Sequence, residues 1–440
     1  MIQISGPADL LRRTRGMYYG WWLAVLGAVI MALGTVPFFQ GMPVWNPVIR
    51  ARLGWTKDQL VWAFALTRVE GGLLGPLEGF LIDRLGARRM VLVGCLILGG
   101  GFILFSQVRE LWQLYLVFIM MSLGAALGTW LPMMTVMNSW FIRKRTLAMS
   151  IVQEGFAVGG VVVPPLMAWS IGGTAVEDPE RYGWRATAAA IGLIIAALAF
   201  PISRLVRDRP EDLGLVPDGV PPEPRRPEGP QVGTPTGGEM DYTWRQAVGT
   251  KAFWFISMGH GASSIVIVTI MVHLGLMLDD RGFSLGAIGL VVSTYTGLNA
   301  VFVLVGGYVG SRVPVRYALF GFSALQSGAV AVLLVAGDDA LLVFLFAVLL
   351  GIGFGGRNPL SSAIRGTYFG RKDYATITGL GMVIMNVFLF TAPVVAGYIS
   401  YDTAFAGVAV VCLLGSGLFL FLGDPQPPPA PRIPVRRPGV

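Results

Sequence analysis

The chain contains 440 residues, of which 54% are hydrophobic and only 13% are charged. A soluble domain carries about 25% charged residues, so this composition excludes an ordinary soluble protein and predicts one that lies in a membrane. The formal net charge of +8 comes from basic residues placed between apolar runs, and it does not indicate nucleic-acid binding.

About twelve apolar runs of roughly 20 residues make up most of the sequence, and a helix of that length crosses a hydrocarbon core about 30 Å thick. In the first half the predicted spans are 19 to 41, 59 to 82, 90 to 108, 112 to 136, 146 to 170 and 185 to 206. In the second half they are 251 to 277, 285 to 310, 316 to 336, 340 to 363, 374 to 398 and 403 to 423. We therefore predict an all-α integral membrane protein with about twelve transmembrane helices in two six-helix, pseudo-symmetric halves.

Residues 1–18 precede the first span and contain Arg12 and Arg15. They include no apolar region with a cleavage site, so we predict a cytoplasmic amino-terminal segment and no cleaved signal peptide. Most other basic residues fall in alternate hinges, among them Arg365 and Arg371 after the tenth span. By the positive-inside rule, both termini are expected in the cytoplasm of a multi-pass protein of the cell inner (plasma) membrane.

A long hinge over 207–250 interrupts the regular spacing of the apolar runs and is rich in proline, glycine and charged residues. Such a composition cannot bury a core, so we predict a cytoplasmic linker. The linker separates an amino-terminal half over 19–206 from a carboxyl-terminal half over 251–423. A disordered, proline-rich tail is expected over 424–440.

Short sequences recur in the two halves. GFLIDRLGARR begins at Gly79 at the end of the second span, and GYVGSRVPVR begins at Gly307 at the end of the eighth. Likewise, WFIRKRTLAMSI from Trp140 resembles YFGRKDYATITG from Tyr368, each between the fourth and fifth spans of its half. Two related halves of this kind form a central cleft at their interface.

The residues at the end of the second span match the pattern GxxxDRxGxRR at every fixed position. The matching residues are Gly79, Asp83, Arg84, Gly86, Arg88 and Arg89. Through this signature the chain resembles the major facilitator superfamily over about 19 to 423. The resemblance implies alternating access about a central site by a functional monomer, with the signature, above all Asp83, as a conformational gate. A role of the arginines in membrane topology alone stays open as the alternative.

A second resemblance covers the start of the fifth span. The residues that carry it are Trp140, Phe141, Arg143, Lys144, Arg145, Leu147, Ala148 and Gly155. They are similar to the fifth helix of the monocarboxylate transporter branch, which implies a small organic anion carried with a proton. That branch places an acidic residue and an arginine in the eighth helix, whereas residues 282–310 here contain no charge. The carboxylate site of the branch therefore cannot be transferred by motif.

Candidate site residues must instead come from polar groups inside the spans. Inserting one charged residue at the middle of a span costs about 2.5 to 3.5 kcal/mol of free energy. The candidates for substrate binding are Arg357, Arg68, Asn299, Tyr295 and Asn386. The candidates for proton coupling are Glu70, Glu154 and His273. An arginine suits a carboxylate because its guanidinium stays charged and binds in a bidentate manner. As structural alternatives, the charged residues form ion pairs, the polar ones join helices, and the histidine lies at the interface.

These features predict a secondary active transporter in the lipid bilayer that carries a small organic anion, a monocarboxylate, in symport with protons. The alternative is a proton-driven exporter of amphipathic drugs that uses Glu70 or Glu154. With 2 histidines, 2 cysteines and no carboxylate cluster, the sequence offers neither a metal site nor a nucleophile with its base. We therefore expect no cofactor and no enzyme. A receptor of transporter ancestry that does not transport also stays open.

Overall fold

The computed structural model describes residues 18–172, 181–219, 241–283, 285–396 and 398–428. Within these ranges the regular secondary structure is helical, and no β-strand occurs. The predicted amino-terminal segment, the middle of the predicted linker and the end of the predicted tail lie outside the described residues.

Helices follow one another along the described chain and are numbered in chain order. The amino-terminal half contains α1 (Tyr19–Gly34), α2 (Val36–Phe39), α3 (Met42–Leu53), α4 (Lys57–Leu85), α5 (Ala87–Phe105), α6 (Leu111–Gly128), α7 (Trp130–Trp140), α8 (Arg145–Ile171) and α9 (Gly183–Leu205). After it come α10 (Trp244–Val248), α11 (Lys251–Asp280), α12 (Leu285–Gly310), α13 (Val315–Ala336), α14 (Ala340–Phe369), α15 (Tyr374–Ala396) and α16 (Tyr401–Gly417). Two short 3-10 turns, Pro210–Leu213 and Pro217–Gly219, lie between α9 and α10.

Among the described residues, 10 stretches are helical, long and apolar enough to cross a membrane. A further helix, α16, is apolar but has only 17 residues. α4 has 29 residues, which is long enough to cross, and it carries more charge than the other spans, including Glu70, Glu78 and Asp83. The twelve-span, two-half architecture that the sequence predicts is thus present.

One of the predicted spans is a broken helix. The fourth, predicted over 112 to 136, divides between α6 and α7 at Thr129, whose φ of −125° and ψ of −90° are not helical. The first, predicted over 19 to 41, keeps helical φ and ψ of −89° and −40° at Thr35 between α1 and α2 and continues through α3. The side-chain oxygens of Thr35 and Thr129 lie 2.9 Å apart in a hydrogen bond. A hydroxyl group of the first span therefore lies against the break in the fourth.

The tenth span is longer than the sequence predicts. The prediction ends at residue 363, but α14 continues to Phe369. The helix ends where Gly370 adopts a φ of 79°, a region that favours glycine. Arg365 therefore lies inside the helix, and its placement in the hinge after the span was wrong.

The two halves contact each other through helix faces lined by glycine. Gly79 of α4 packs against the backbone of Ala375 on α15, and Gly75 packs against Gly379 in the same pair of helices. A Cβ atom at Gly79 or Gly379 would overlap the facing backbone, so only glycine permits this spacing. A similar contact brings α12 against α8 at Gly307.

Apolar side chains fill each half differently. In the amino-terminal half they form one continuous cluster. The carboxyl-terminal half has two clusters, one that includes Leu274 and Phe346 and another that includes Phe253 and Phe419. These two clusters occupy opposite ends of the same helices. The middle of the carboxyl-terminal half therefore belongs to neither apolar cluster.

Candidate functional site

Asp83 lies near the end of α4 and contacts the other half. Its carboxylate oxygens accept hydrogen bonds from the backbone N–H groups of Ala375 (3.1 Å) and Thr376 (2.7 Å), in the first turn of α15. The first N–H groups of a helix have no partner within it, and the helix dipole favours a negative charge there. Asp83 therefore joins the second span of one half to the eleventh span of the other.

The rest of the signature contacts the start of the predicted linker. Gly86 has a φ of 88°, and Asp208 occupies the space beside it where a side chain would lie. The Asp208 carboxylate accepts a hydrogen bond from the Arg88 N–H at 2.7 Å. Burial raises the pKa of Asp208 above its ordinary value. Arg84 and Arg89 are exposed, which is compatible with a position at the membrane surface.

Contacts between the halves gather at one end of the bundle, which we call the basic end because Arg84 and Arg371 lie there. Asn138 Nδ2 donates to the carbonyl oxygen of Gly370 at 3.0 Å. Arg371 Nη2 donates to the two carboxylate oxygens of Glu211 at 2.9 and 3.1 Å. The bundle is therefore closed at the basic end.

Arg357, a predicted substrate ligand, lies inside the carboxyl-terminal half. It is 2% exposed, and its Nη1 donates to the hydroxyl groups of Ser263 (2.7 Å) and Ser264 (3.1 Å) on α11. Its Nε is buried without a hydrogen-bond partner, and its Cζ lies 5.7 Å from the ring centroid of Phe354. No carboxylate in the described part of the chain forms an ion pair with it. A positive charge is thus buried among neutral groups.

Glu70, predicted for proton coupling, is buried in the amino-terminal half. It is 6% exposed, and one of its oxygens accepts a hydrogen bond from Ser122 Oγ on α6 at 2.8 Å. Glu78, further along α4, is 4% exposed, and each glutamate has one oxygen without a partner. Neither forms an ion pair with a described residue. Arg68 belongs to α4, but its side chain lies outside the described residues.

The predicted polar ligands lie at separate contacts between helices. Tyr295 and Asn299 of α12 pack their backbones against glycines of α14, and the Asn299 Oδ1 is buried without a partner. Asn386 of α15 instead lies beside Gly72 of α4, where the two halves meet. Tyr295 and Asn299 thus lie between α12 and α14, whereas Asn386 lies between the two halves.

The other two candidates for proton coupling are also apart from each other. Glu154 of α8 is partly buried, and its Oε1 has no hydrogen-bond partner. The ring of His273 lies 6.0 Å from the ring of Tyr401, near the end of α11 that is far from the basic end. Glu154 thus lies inside the bundle, whereas His273 lies toward one of its ends.

Arg365 is a buried arginine that sequence reasoning missed as a site residue. It is 1% exposed, its Nη1 donates to the carbonyl oxygen of Ser361 at 2.9 Å, and its Nη2 lies 2.9 Å from Nδ1 of His260. Since a guanidinium only donates, His260 accepts through an unprotonated ring nitrogen. The signal was present in the sequence, because Arg357, Ser361 and Arg365 recur every four residues and share one helix face.

A band of polar side chains, here called the polar layer, separates the two apolar clusters of the carboxyl-terminal half. Its members are Ser257, His260, Ser263, Ser264, Ser323, Gln326, Ser327, Arg357, Arg365 and Thr378. Atoms without a hydrogen-bond partner occur on Ser257, Ser323, Gln326, Arg357 and Thr378. Buried polar groups in proteins are nearly always hydrogen-bonded, so these atoms mark where a polar ligand can be held. The polar layer is the candidate functional site.

Comparison with known proteins agrees with this architecture. The chain matches the Major Facilitator Superfamily over residues 23–284 and 254–439. Monocarboxylate transporter 11 of Homo sapiens is 24% identical over 97% of this chain and 86% of its own length. Monocarboxylate transporter 13 of Rattus norvegicus is 23% identical over 94% of this chain and 91% of its own length. The Fujikurins efflux protein of Gibberella fujikuroi is 24% identical over 40% of this chain and 38% of its own length.

Proposed function

Because this chain belongs to the major facilitator superfamily and is a multi-pass membrane transporter, not an enzyme, we propose that its cargo is a small organic anion. We propose that a carboxylate of this anion binds Arg357 and that a proton moves with it in the same direction. Two relatives named monocarboxylate transporters make monocarboxylates the first acids to test.

The observation that carries this proposal is the unpaired charge of Arg357. A cation buried without a counter-charge costs several kcal/mol. Ser263 and Ser264 supply neutral acceptors only, and Nε has no acceptor at all. A bound carboxylate would neutralise the guanidinium and accept hydrogen bonds from Nε and the neighbouring Nη. Further contacts to the cargo are proposed for Arg68, Tyr295, Asn299 and Asn386.

We propose that transport proceeds by alternating access, with the basic end in the cytoplasm as the positive-inside rule requires. Closure at that end then corresponds to the state that faces outward. The contact of Asp83 with the first turn of α15 is the proposed gate, which must break before the basic end opens. The other proposed gate residues are Gly79, Arg84, Gly86, Arg88 and Arg89. A single chain contains both halves, so the proposed transporting unit is a monomer.

The proton is proposed to bind Glu70 or Glu154, with His273 as a third candidate. A carboxylate enclosed without a cation is costly, and protonation removes that cost. Glu70 meets this condition among the described residues, because its hydrogen-bond partners are the Ser122 hydroxyl and the Glu78 carboxyl group, and neither is a cation. An anion on Arg357 and a proton on the glutamate together neutralise both buried charges. The loaded transporter can then reorient without moving a net charge through the bilayer.

The test is uptake of labelled lactate and pyruvate into proteoliposomes, with and without an inward proton gradient. We expect gradient-driven uptake by the wild type and a loss of at least about tenfold in Arg357→Gln, since a hydrogen bond to a charged group contributes about 1.5 to 3 kcal/mol. The matched control is Arg312→Gln, because Arg312 is exposed and lies over Tyr308. Uptake that persists in Arg357→Gln would contradict the proposed site.

A second candidate function is the export of amphipathic drugs against protons. It is favoured by the similarity to the Fujikurins efflux protein and by the buried carboxyl group of Glu70. In that case Arg357→Gln leaves dye efflux unchanged, whereas Glu70→Gln or Glu154→Gln abolishes it. Efflux measured in the same vesicles therefore separates the two functions.

A further inference from the structure

We propose that the cargo site extends from Arg357 to Arg365 and that the cargo is a small dicarboxylate, with one carboxylate on each arginine. The inference rests on the proposed function of Arg357 and narrows its substrate class. It assigns to Arg365 the role of a specificity-determining ligand.

Both arginines project from α14 toward the same neighbouring helix. They are eight positions apart, which separates their Cα atoms by about 12 Å along the axis and by about 80° around it. Their partners on α11 lie closer together than their own Cα atoms do. Arg357 donates hydrogen bonds to Ser263 and Ser264, and Arg365 contacts His260. These positions on α11 are about one helical turn apart, or about 5.4 Å. The two guanidinium groups therefore converge on one stretch of α11.

That separation suits a short diacid. With carbon–carbon bonds of about 1.5 Å, the carboxyl carbons of a four- or five-carbon diacid lie roughly 4 to 5 Å apart. A monocarboxylate of similar length reaches one guanidinium and places an apolar end against the other. The spacing therefore favours a second acidic group at the far end of the cargo.

The charge balance of this half leads to the same conclusion. Arg357 and Arg365 are 2% and 1% exposed, and no described carboxylate pairs with either. His260 offers Arg365 a neutral acceptor only. A monocarboxylate would leave one of the two buried charges uncompensated, at a cost of several kcal/mol. A dicarboxylate neutralises both.

Arg365 has a second hydrogen-bond donor beside it. A Cβ atom placed at Gly381 of α15 would lie 3.4 Å from both Nε and Nη2 of Arg365 and 2.9 Å from Ser257 Oγ, so these groups are packed closely. The Ser257 hydroxyl is buried and has no hydrogen-bond partner. A carboxylate on Arg365 can accept a hydrogen bond from this hydroxyl group once the side chains shift to admit it.

The experiment compares succinate with butyrate, which have the same carbon number and differ by one carboxylate. Uptake into proteoliposomes is measured for the wild type, Arg365→Gln and Arg365→Lys. We expect saturable succinate uptake that falls at least about tenfold in Arg365→Gln and is partly restored in Arg365→Lys. Lysine keeps the positive charge but lacks the planar guanidinium that binds a carboxylate in a bidentate manner. In the wild type, butyrate uptake should be weaker than succinate uptake, because butyrate leaves the charge of Arg365 uncompensated.

A second variant covers the case in which Arg365→Gln does not fold. Gly381→Ala keeps both arginines and adds one methyl group against Ser257 and Arg365. We expect the KM for succinate to rise while the melting temperature of the purified protein stays close to that of the wild type.

Each outcome separates this inference from the proposed function. Uptake of butyrate or lactate without uptake of succinate would overturn the dicarboxylate and keep the organic-anion transporter. An unchanged KM for succinate in Gly381→Ala, together with full uptake in Arg365→Gln, would remove Arg365 from the site. Uptake of no acid at all would overturn the proposed function itself.

Discussion

Buried charges of opposite sign lie in different halves of this protein. Glu70 and Glu78 are buried in α4, whereas Arg357 and Arg365 are buried in α14. Among the described side chains none of the four is paired with an opposite charge. Permanent ion pairs would stabilise a rigid membrane protein, but they would also occupy the groups that a cargo needs. Under the proposed function, keeping the charges apart leaves the arginines for an anion and a glutamate for a proton.

At the residue scale we predict that Glu70→Gln uncouples transport from protons. Glutamine keeps an oxygen that accepts the hydrogen bond from Ser122, but it cannot take up a proton. The variant should retain exchange of internal for external anion and lose accumulation driven by a proton gradient. Counterflow and gradient-driven uptake measured side by side provide the check, with Glu110→Gln as the matched control, because Glu110 is exposed outside the spans. Accumulation equal to that of the wild type in Glu70→Gln would exclude Glu70 as the coupling group.

At the element scale, glycines decide how closely helices of the two halves approach. The faces of α4 and α15 meet at Gly75, Gly79 and Gly379, and a side chain at Gly79 or Gly379 would overlap the backbone of the other helix. Asp83 reaches the first turn of α15 only because this approach is so close. The glycine face and the carboxylate therefore act as one contact.

We predict that Gly79→Ala weakens closure of the basic end. The added methyl group meets the backbone of Ala375, and overpacking of this kind costs about 1 to 3 kcal/mol. Gly71→Ala is the matched control, because no heavy atom lies within 4 Å of a Cβ placed there and alanine favours a helix by about 1 kcal/mol. Thermal unfolding should show a lower melting temperature for Gly79→Ala only. Equal melting temperatures would argue against a close contact at Gly79.

At the scale of the whole molecule, the described ends of the linker hold equivalent turns in the two halves. Asp218 accepts hydrogen bonds from the N–H groups of Ile142 (3.0 Å) and Arg143 (2.8 Å), just before α8. Asp241 likewise accepts from the N–H groups of Arg371 (2.9 Å) and Lys372 (3.1 Å), just before α15. These turns belong to the repeated sequences WFIRKR and YFGRKD. Each half is therefore capped by one end of the same linker.

We predict that Asp218→Asn and Asp241→Asn shift the protein toward a state that is open at the basic end. Asparagine tolerates the φ of 58° at residue 218 but forms weaker, uncharged hydrogen bonds. Pulsed electron paramagnetic resonance between labels in the two turns should report a longer distance. Asp339→Asn is the control, since Asp339 caps the start of α14 through the N–H of Leu341. An unchanged distance in both variants would show that the linker does not bias the transporter.

Some of the candidate site followed from the sequence, and some did not. The signature singled out Asp83 as a gate residue, and Arg357 was found because a charge inside an apolar run is costly. Its partners, Ser263 and Ser264, could not be found, because serine is common in membrane spans and the contact joins residues far apart in sequence. Arg365 was missed for a different reason. The end of α14 was placed too early, which moved a buried side chain into a hinge.

The sequence by itself determined the class of this protein, the number of spans, the two related halves and the signature at the end of the second span. These features depend on helix length, local hydropathy and residue identity, which are properties of neighbouring residues. Only the tertiary structure decided that the basic end is closed, that the fourth span is broken at Thr129 beside Thr35, and that two arginines share a polar layer in which no described carboxylate pairs with them. These features depend on which helix faces pack together, and close packing is set by contacts between residues that are distant along the chain.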